Sequence, residues 1–135
     1  HGCYRCIVQA LPSMLQWHQG CIINLSSMWG QVGASCEVCY SAAKGAVIAM
    51  TKALANEWAK YGINVNAIAP GYMATNNTNQ LRQDEDRSEE ILARIPAGRW
   101  GTPADVGGAA IFLASDAAAY VNGYTLAVDG GWLAR

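Results

Sequence analysis

Tyr40 and Lys44 stand four residues apart in the run Tyr40-Ser41-Ala42-Ala43-Lys44. On a helix this spacing puts both side chains on one face, one turn apart. A phenol by itself, with an ordinary pKa of about 10, is a weak acid and a scarce base at neutral pH. An ammonium one turn away favours the phenolate. A phenol tuned in this way can move a proton to or from an alcohol or ketone oxygen. Ser27 follows the apolar run Cys21-Ile22-Ile23-Asn24-Leu25-Ser26, which reads as a buried strand. A hydroxyl at the carboxyl end of that strand can hold the same oxygen. Tyrosine and lysine four apart also occur on ordinary helices, so the pair alone defines no site. The serine and the elements around it carry the reading.

Those elements follow in order. Residues 2–17 place Tyr4, Ile7, Val8, Leu11, Met14, Leu15 and Trp17 at helical spacing. Pro12 is expected to bend or break the last turns, and Gly20 to end the helix. Residues 28–37 read as a loop carrying Trp29, Gln31 and Glu37. Residues 39–61 form an alanine-rich helix closed by Gly62. Ala42, Ala43, Gly45, Ala46, Ala49 and Ala53 give it a small-residue surface, while Val47, Ile48, Met50, Leu54 and Trp58 supply bulk. It reads as a buried crossover with one face left for a partner subunit. Residues 63–69 alternate as a strand does. Strand, helix, strand in this order gives a right-handed crossover and parallel pairing. Pro70-Gly71 then turns the chain at the carboxyl end of that strand, where ligands gather in open parallel sheets. Residues 76–98 are polar, with Leu81, Ile91, Leu92 and Ile95 at helical spacing. They are expected to form one or two short helices, read either as a lid over a substrate or as a solvated surface excursion. Their place directly after the turn favours the lid. Thr102-Pro103-Ala104-Asp105 starts a helix that runs to about Ser115. Residues 124–128 form the last strand, and the apolar ending from Trp132 is expected to dock somewhere, a neighbouring subunit being one candidate surface.

The composition narrows the classes. At 135 residues the chain has the size of one domain. Hydrophobic residues make up 52% and charged ones 14%, so much of the surface is expected to be covered. A net charge of −1 without a basic run argues against nucleic acid and anionic membranes as partners. No apolar stretch is long enough to span a bilayer and none resembles a signal peptide, which leaves the cytoplasm as the default compartment. The chain opens on His1 inside a helical pattern and reads as a fragment. Its cysteines are Cys3, Cys6, Cys21, Cys36 and Cys39. An odd number without secretory context argues against a disulfide framework. The pairs Cys3/Cys6 and Cys36/Cys39 raise a zinc-binding module as a rival. Their separation exceeds ribbon spacing, the first pair lies in a helical pattern, and the second abuts Tyr40. No glycine follows either pair closely enough for a tight metal-binding turn. Free thiols are the preferred reading, and no residue is assigned to a metal.

Ser27, Tyr40-x-x-x-Lys44, Asn66-Ala67-Ile68-Ala69-Pro70-Gly71 and Val128-Asp129-Gly130-Gly131 occur in this order. In that order and spacing they resemble the short-chain dehydrogenase/reductase family. The resemblance covers nearly the whole chain but matches only the family's carboxyl-terminal half. It implies an α/β fold: the C-terminal part of a Rossmann-like doubly wound parallel sheet, about three strands with helices on both faces. The N-terminal glycine-rich nucleotide-binding half is lacking. Residues 1–135 are thus expected to form a single partial domain, with 76–98 as its substrate lid.

The same resemblance implies hydride transfer between a nicotinamide cofactor, NAD or NADP, and a carbon bearing a hydroxyl or keto group. It makes Tyr40 the general acid or base. Lys44 lowers the phenol's pKa and holds the nicotinamide ribose, and Ser27 polarises the substrate oxygen. Tyr40, Lys44, Pro70, Gly71, Met73 and Thr75 are implied to border the cofactor; Ser27, Trp29, Gln31, Glu37 and Tyr72 are candidates to meet a small-molecule substrate. Homo-oligomers, dimers or tetramers, are implied through the two long helices. The family's active-site asparagine falls before His1.

Two parts of the resemblance differ in substrate. Residues 20–44 are similar to bacterial 3-oxoacyl-carrier-protein reductases. From Asn56 onward, through Ala69-Pro70-Gly71-Tyr72-Met73-Ala74-Thr75 and Ile95-Pro96-Ala97-Gly98-Arg99-Trp100-Gly101, the chain is similar to 2-deoxy-D-gluconate 3-dehydrogenases. The second part holds the lid, so a sugar acid such as 2-deoxy-D-gluconate is the favoured substrate, with the oxoacyl thioester as the alternative. Arg82, Arg87, Arg94 and Arg99 are candidates to pair with a substrate carboxylate in a fork geometry. A third reading, a catalytically inactive truncated fragment, follows from the missing glycine-rich turn.

Overall fold

The computed structural model describes residues 2–134. Its core is a three-stranded sheet in which β1 (Gly20–Leu25), β2 (Ile63–Pro70) and β3 (Thr125–Val128) lie side by side in that order. Both pairings are parallel: Ile22 faces Val65 and Leu25 faces Ile68, while Ala67 faces Thr125 and Pro70 faces Val128. Parallel neighbours require crossovers. The helix α3 (Val38–Trp58) links β1 to β2, and α6 (Pro103–Ala114) lies between β2 and β3.

The period of two along β2 sorts its side chains onto two faces. Ile63 and Val65 join Ile22 beneath Leu54, Ala55 and Trp58 of α3 and Ile7 of α1 (Gly2–Trp17). Ile68 faces the other way, against Leu113 of α6 and Ala118, with Ile23 and Val106 beside them. Helices therefore cover both faces, and β2, flanked on all sides, has Ile63, Val65, Asn66, Ala67, Ile68 and Ala69 at 0% exposure. Its buried polar groups are partnered, as burial demands. Asn66 donates to the Val121 carbonyl at 2.8 Å and accepts from the Tyr124 amide at 3.0 Å. Asn24 on β1 donates to Thr51 Oγ1 of α3 at 3.0 Å, and Thr51 passes its own proton to Val47.

Several local expectations are corrected. Pro12 does not break α1, which runs through it to Trp17. Pro12 and Val8, whose carbonyl loses its helical donor, are both exposed, so water can replace the lost donor. The helix stops at His18, which takes the left-handed conformation at φ 49° ahead of Gly20. Residues 28–37 are not all loop: α2 (Trp29–Val32) forms inside them. The ending docks on its own chain, with Trp132 buried against Ile91 and Ile95; Arg135 lies outside the described residues. Gly62 closes the turn after α3 in the left-handed region at φ 72°, where a Cβ would run into the His18 carbonyl.

Residues 76–98 fold as a 3-10 turn over Asn76–Thr78, then α4 (Asn79–Gln83) and α5 (Glu85–Arg94). Asp84 caps α5 by accepting from the Arg87 amide at 3.1 Å. α5 buries Ile91, and Ile95 follows it into the same cluster.

The start of α6 carries a pH-dependent term. Asp105 accepts a fork of two 2.9 Å bonds from Arg99, and bonds from the amide and hydroxyl of Thr102 at 2.7 and 2.8 Å. Arg99, first, and then Thr102 hold its carboxyl well below the usual carboxylate range. A depressed folded value stabilises fully above the unfolded value of about 3.9 and is lost as pH falls toward the folded one. Denaturant midpoints of the parent are therefore expected to fall relative to those of Asp105→Asn only below about pH 4. A gap between the two that widens with acid would contradict the fork.

Among the described residues, no helix is long and apolar enough to cross a membrane, and no group of three or more His, Cys, Asp or Glu is placed to hold a metal ion. All five cysteines are free.

Candidate active site

β1 ends at Leu25, and the chain turns at once over the sheet's carboxyl edge. Ser26 Oγ donates to the Lys44 carbonyl at 2.8 Å. Ser41 Oγ accepts from the Ala34 amide at 3.1 Å. These two bonds tie the segment carrying Ser27 to the first turns of α3, which carry Tyr40 and Lys44. The approach is close enough to need Gly30: a Cβ there would lie 2.7 Å from the Lys44 carbonyl carbon and 2.9 Å from Ser26 Oγ. Gly30→Ala is accordingly expected to destabilise by about 1–3 kcal/mol, the range for overpacking, and to lower turnover by parting Ser27 from Tyr40. Denaturant midpoints and kcat measure the two effects; an unchanged midpoint would show that α2 has room to move.

Ser27 itself is 6% exposed. Its Oγ accepts from the Trp29 amide at 3.2 Å, which engages a lone pair and leaves the hydroxyl proton for a ligand. Tyr40 is 44% exposed. Lys44 Nζ lies 5.7 Å from the centre of the Tyr40 ring and donates to the Leu25 carbonyl at 3.0 Å. One of the three ammonium donors is thus fixed, aiming the group at the end of β1.

Ser27 and Tyr40 line one cleft of about 490 Å³ with Trp29, Glu37, Gly71, Tyr72, Met73 and Thr75. The cleft lies beyond the carboxyl ends of β1 and β2. Gly71 donates to the Val128 carbonyl at 2.9 Å and so ties the turn to β3. Tyr72 packs edge-to-face on Trp29, Trp100 and Trp132, with ring centres 6.1, 5.4 and 5.1 Å away. Burial raises the Tyr72 phenol above its ordinary value, Arg87 and Arg94 pull against that, and Glu37 adds to it.

Two expected residues, Lys44 and Pro70, are not on the lining of the cleft. Pro70 accepts from the Met28 amide at 3.1 Å, closing β2 over the serine turn. Gln31 is placed elsewhere. It lines a separate groove with Ile48, Lys52, Tyr124 and Thr125, because two helical residues of separation turn it away from Trp29. The cleft also takes in Met28, Asn77 and Thr78, which the sequence reading passed over. Thr78 accepts from the Thr75 amide at 3.1 Å. The Thr-x-x-Thr spacing of a helix start was the available signal.

The comparisons with known proteins agree with this architecture. A family model described as enoyl-(acyl carrier protein) reductase matches residues 1–133. The chain belongs to the short-chain dehydrogenase/reductase family. A 2-dehydro-3-deoxy-D-gluconate 5-dehydrogenase of Dickeya dadantii is 67% identical over 120 residues, covering 89% of this chain and 47% of that protein. A 3-oxoacyl-[acyl-carrier-protein] reductase of Staphylococcus aureus is 43% identical over 130 residues, 96% of this chain and 52% of that one. The crystal structure of a gluconate 5-dehydrogenase from Burkholderia cenocepacia, in complex with NADP and tartrate, superposes with a TM-score of 0.96 at 40% identity. It covers 99% of this chain and 52% of that one. The chain spans about half the length of the curated relatives it matches.

Proposed function

We propose that this chain carries the proton-transfer and substrate-facing part of an NADP- or NAD-dependent dehydrogenase. Its reaction interconverts a secondary alcohol and a ketone on a six-carbon sugar acid. The observation that carries the reading is the cleft in which Ser27, Tyr40 and the Gly71–Thr75 segment meet at the sheet's carboxyl edge.

The residues present fit a nicotinamide group. Tyr40, Gly71, Met73 and Thr75 border the cleft, and Lys44 keeps two ammonium donors beyond its bond to Leu25. Lys44 and Tyr40 would hold the ribose; Pro70, Gly71, Met73 and Thr75 would border the ring. When bound, the nicotinamide supplies or accepts the hydride. Tyr40 gives its phenolic proton to the carbonyl oxygen in reduction and takes the proton from the alcohol in oxidation. Ser27 donates a hydrogen bond to the same oxygen, keeping its own proton, and holds that oxygen in register with Tyr40. Lys44 places its charge a turn below the phenol.

The sugar-acid relatives support the substrate class. Those named as 5-dehydrogenases favour C5 as the reacting carbon, and a structural neighbour whose name proposes a 2-deoxy-D-gluconate 3-dehydrogenase favours C3. The NADP in the Burkholderia structure supports the cofactor. Exposed small side chains on α3, Ala42, Ala43, Ala46, Ala49 and Ala53, support self-association. The identity to an oxoacyl reductase keeps a second reading open to test. NADPH consumption with a 5-ketohexonate and with a 3-oxoacyl thioester separates them. The keto acid is expected to win by at least about tenfold in kcat/KM, and the reverse preference would overturn the sugar-acid reading.

A further inference from the structure

Four arginines of the lid region are candidates for a substrate carboxylate, and the structure separates them. Arg99 is held in a fork by Asp105, at 2.9 Å on each nitrogen. Arg87 Nη1 lies 2.6 Å from Glu90 Oε2. Arg82 Nη2 is turned to the Thr75 carbonyl at 3.3 Å and to Asn79 Oδ1 at 3.5 Å, while its Nε is buried without a partner among the described residues, so its guanidinium is directed at the turn below the cleft. Arg94 differs. Its guanidinium carbon sits 4.2 Å from the centre of the Trp132 ring, and among the described residues it meets no carboxylate.

Arg94 is not itself on the lining of the cleft; it neighbours the cleft through Trp132. Trp132 is 6% exposed and packs edge-to-face on Trp29 and Tyr72, with ring centres 5.6 and 5.1 Å away. Trp29 and Tyr72 both line the cleft that holds Ser27 and Tyr40. Arg87 first, and then Arg94, reach the Tyr72 phenol electrostatically and oppose the effect of burial, so geometry and not this field distinguishes Arg94. Its place on α5 is fixed by Ile91, one turn earlier, which is buried in the same aromatic cluster.

We propose that Arg94, held over Trp132, receives the carboxylate of the sugar-acid substrate while the hydroxyl-bearing carbon lies between Ser27 and Tyr40. This rests on the dehydrogenase reading above and adds the residue that selects an acid over a neutral polyol. A guanidinium stacked on a ring keeps its in-plane N–H fork free for two parallel bonds to a carboxylate. The ring restrains the side chain before the ligand arrives, so less freedom is lost on binding. Glu37, on the cleft wall, accepts from hydroxyls and repels a carboxylate. That favours an orientation with the polyol at Glu37 and the acid toward α5.

The test is binding of D-gluconate and D-glucitol, which differ in the terminal carboxylate, to the NADP-loaded protein by calorimetric titration. The parent is expected to prefer gluconate. Arg94→Met, which keeps an apolar stem on Trp132, is expected to weaken gluconate by about tenfold or more and leave glucitol unchanged. Arg94→Lys is expected to lose part of the preference, and Arg87→Met none. Melting temperatures check the fold, and Arg94→Lys carries the test where the methionine variant melts early. Full gluconate preference in both Arg94 variants overturns the assignment and leaves the dehydrogenase reading standing, as does its loss in Arg87→Met alone. A parent that binds the two ligands equally overturns the sugar-acid reading and Arg94's role with it.

Discussion

Tyr40→Phe is expected to lower kcat by about 10³-fold, within the span of a lost general acid or base, and to leave stability unchanged. The two halves of this expectation come from the same geometry. Tyr40 is 44% exposed, and its hydroxyl makes no hydrogen bond among the described residues. Removing an oxygen that faces a cleft orphans no buried partner, and such changes fall within about 0.5 kcal/mol. The chemistry has no comparable substitute nearby. Ser27 Oγ can orient an oxygen but is too weak an acid to replace a phenol, and Lys44 Nζ is drawn to the Leu25 carbonyl. Steady-state turnover beside a denaturant midpoint checks both parts. A loss of less than tenfold would move the proton transfer to another group.

Trp132→Ala is expected to cost about 3–5 kcal/mol, the range for truncating a buried large aromatic, and to weaken substrate binding as well. Trp132 is the hub of a cluster drawn from separate segments. Trp29 comes from the serine turn, Tyr72 from the turn after β2, and Ile91 and Ile95 from α5 and its end. Arg94 lies over its open face. The indole is seated by Asp129, whose two carboxylate oxygens accept from the amides of Gly131 and Leu133 at 2.9 Å each. This is the work of the Val128-Asp129-Gly130-Gly131 motif: it turns the chain end back beneath α5. Loss of the indole leaves a cavity between α5 and the cleft wall, so the damage reaches both the folding midpoint and KM. A midpoint shift below about 1 kcal/mol would show that the ending is not held as described.

Much of the frame was legible in the sequence because its signals are local. The apolar runs at 21–26 and 63–69 became β1 and β2, and Thr102-Pro103 with Asp105 became the start of α6. Each depends on periodicity or on a cap that reaches three residues. The meeting of Ser27 with Tyr40 was legible too, since motif order fixes which strand ends lie together in a parallel crossover.

The misreadings share a physical cause. Trp29 and Gln31 look like neighbours in a loop, but on α2 two residues amount to roughly 200° of rotation, and Gln31 turns to the far groove. Pro12 looked like a break, yet its exposed position lets solvent satisfy the freed carbonyl. The ending looked fit for a partner because its own pocket is assembled from residues 29, 72, 91 and 95, which no local window contains. The same holds for the arginines. Sequence supplied four equal candidates, and only the tertiary arrangement showed that Asp105 and Glu90 pair with Arg99 and Arg87 and that Arg82 turns one nitrogen to the Thr75 carbonyl. What the residues by themselves determined was the set of reactive groups and the strands that carry them. Which groups remain free to meet a ligand was decided by long-range packing, because a side chain's availability depends on what else has folded against it.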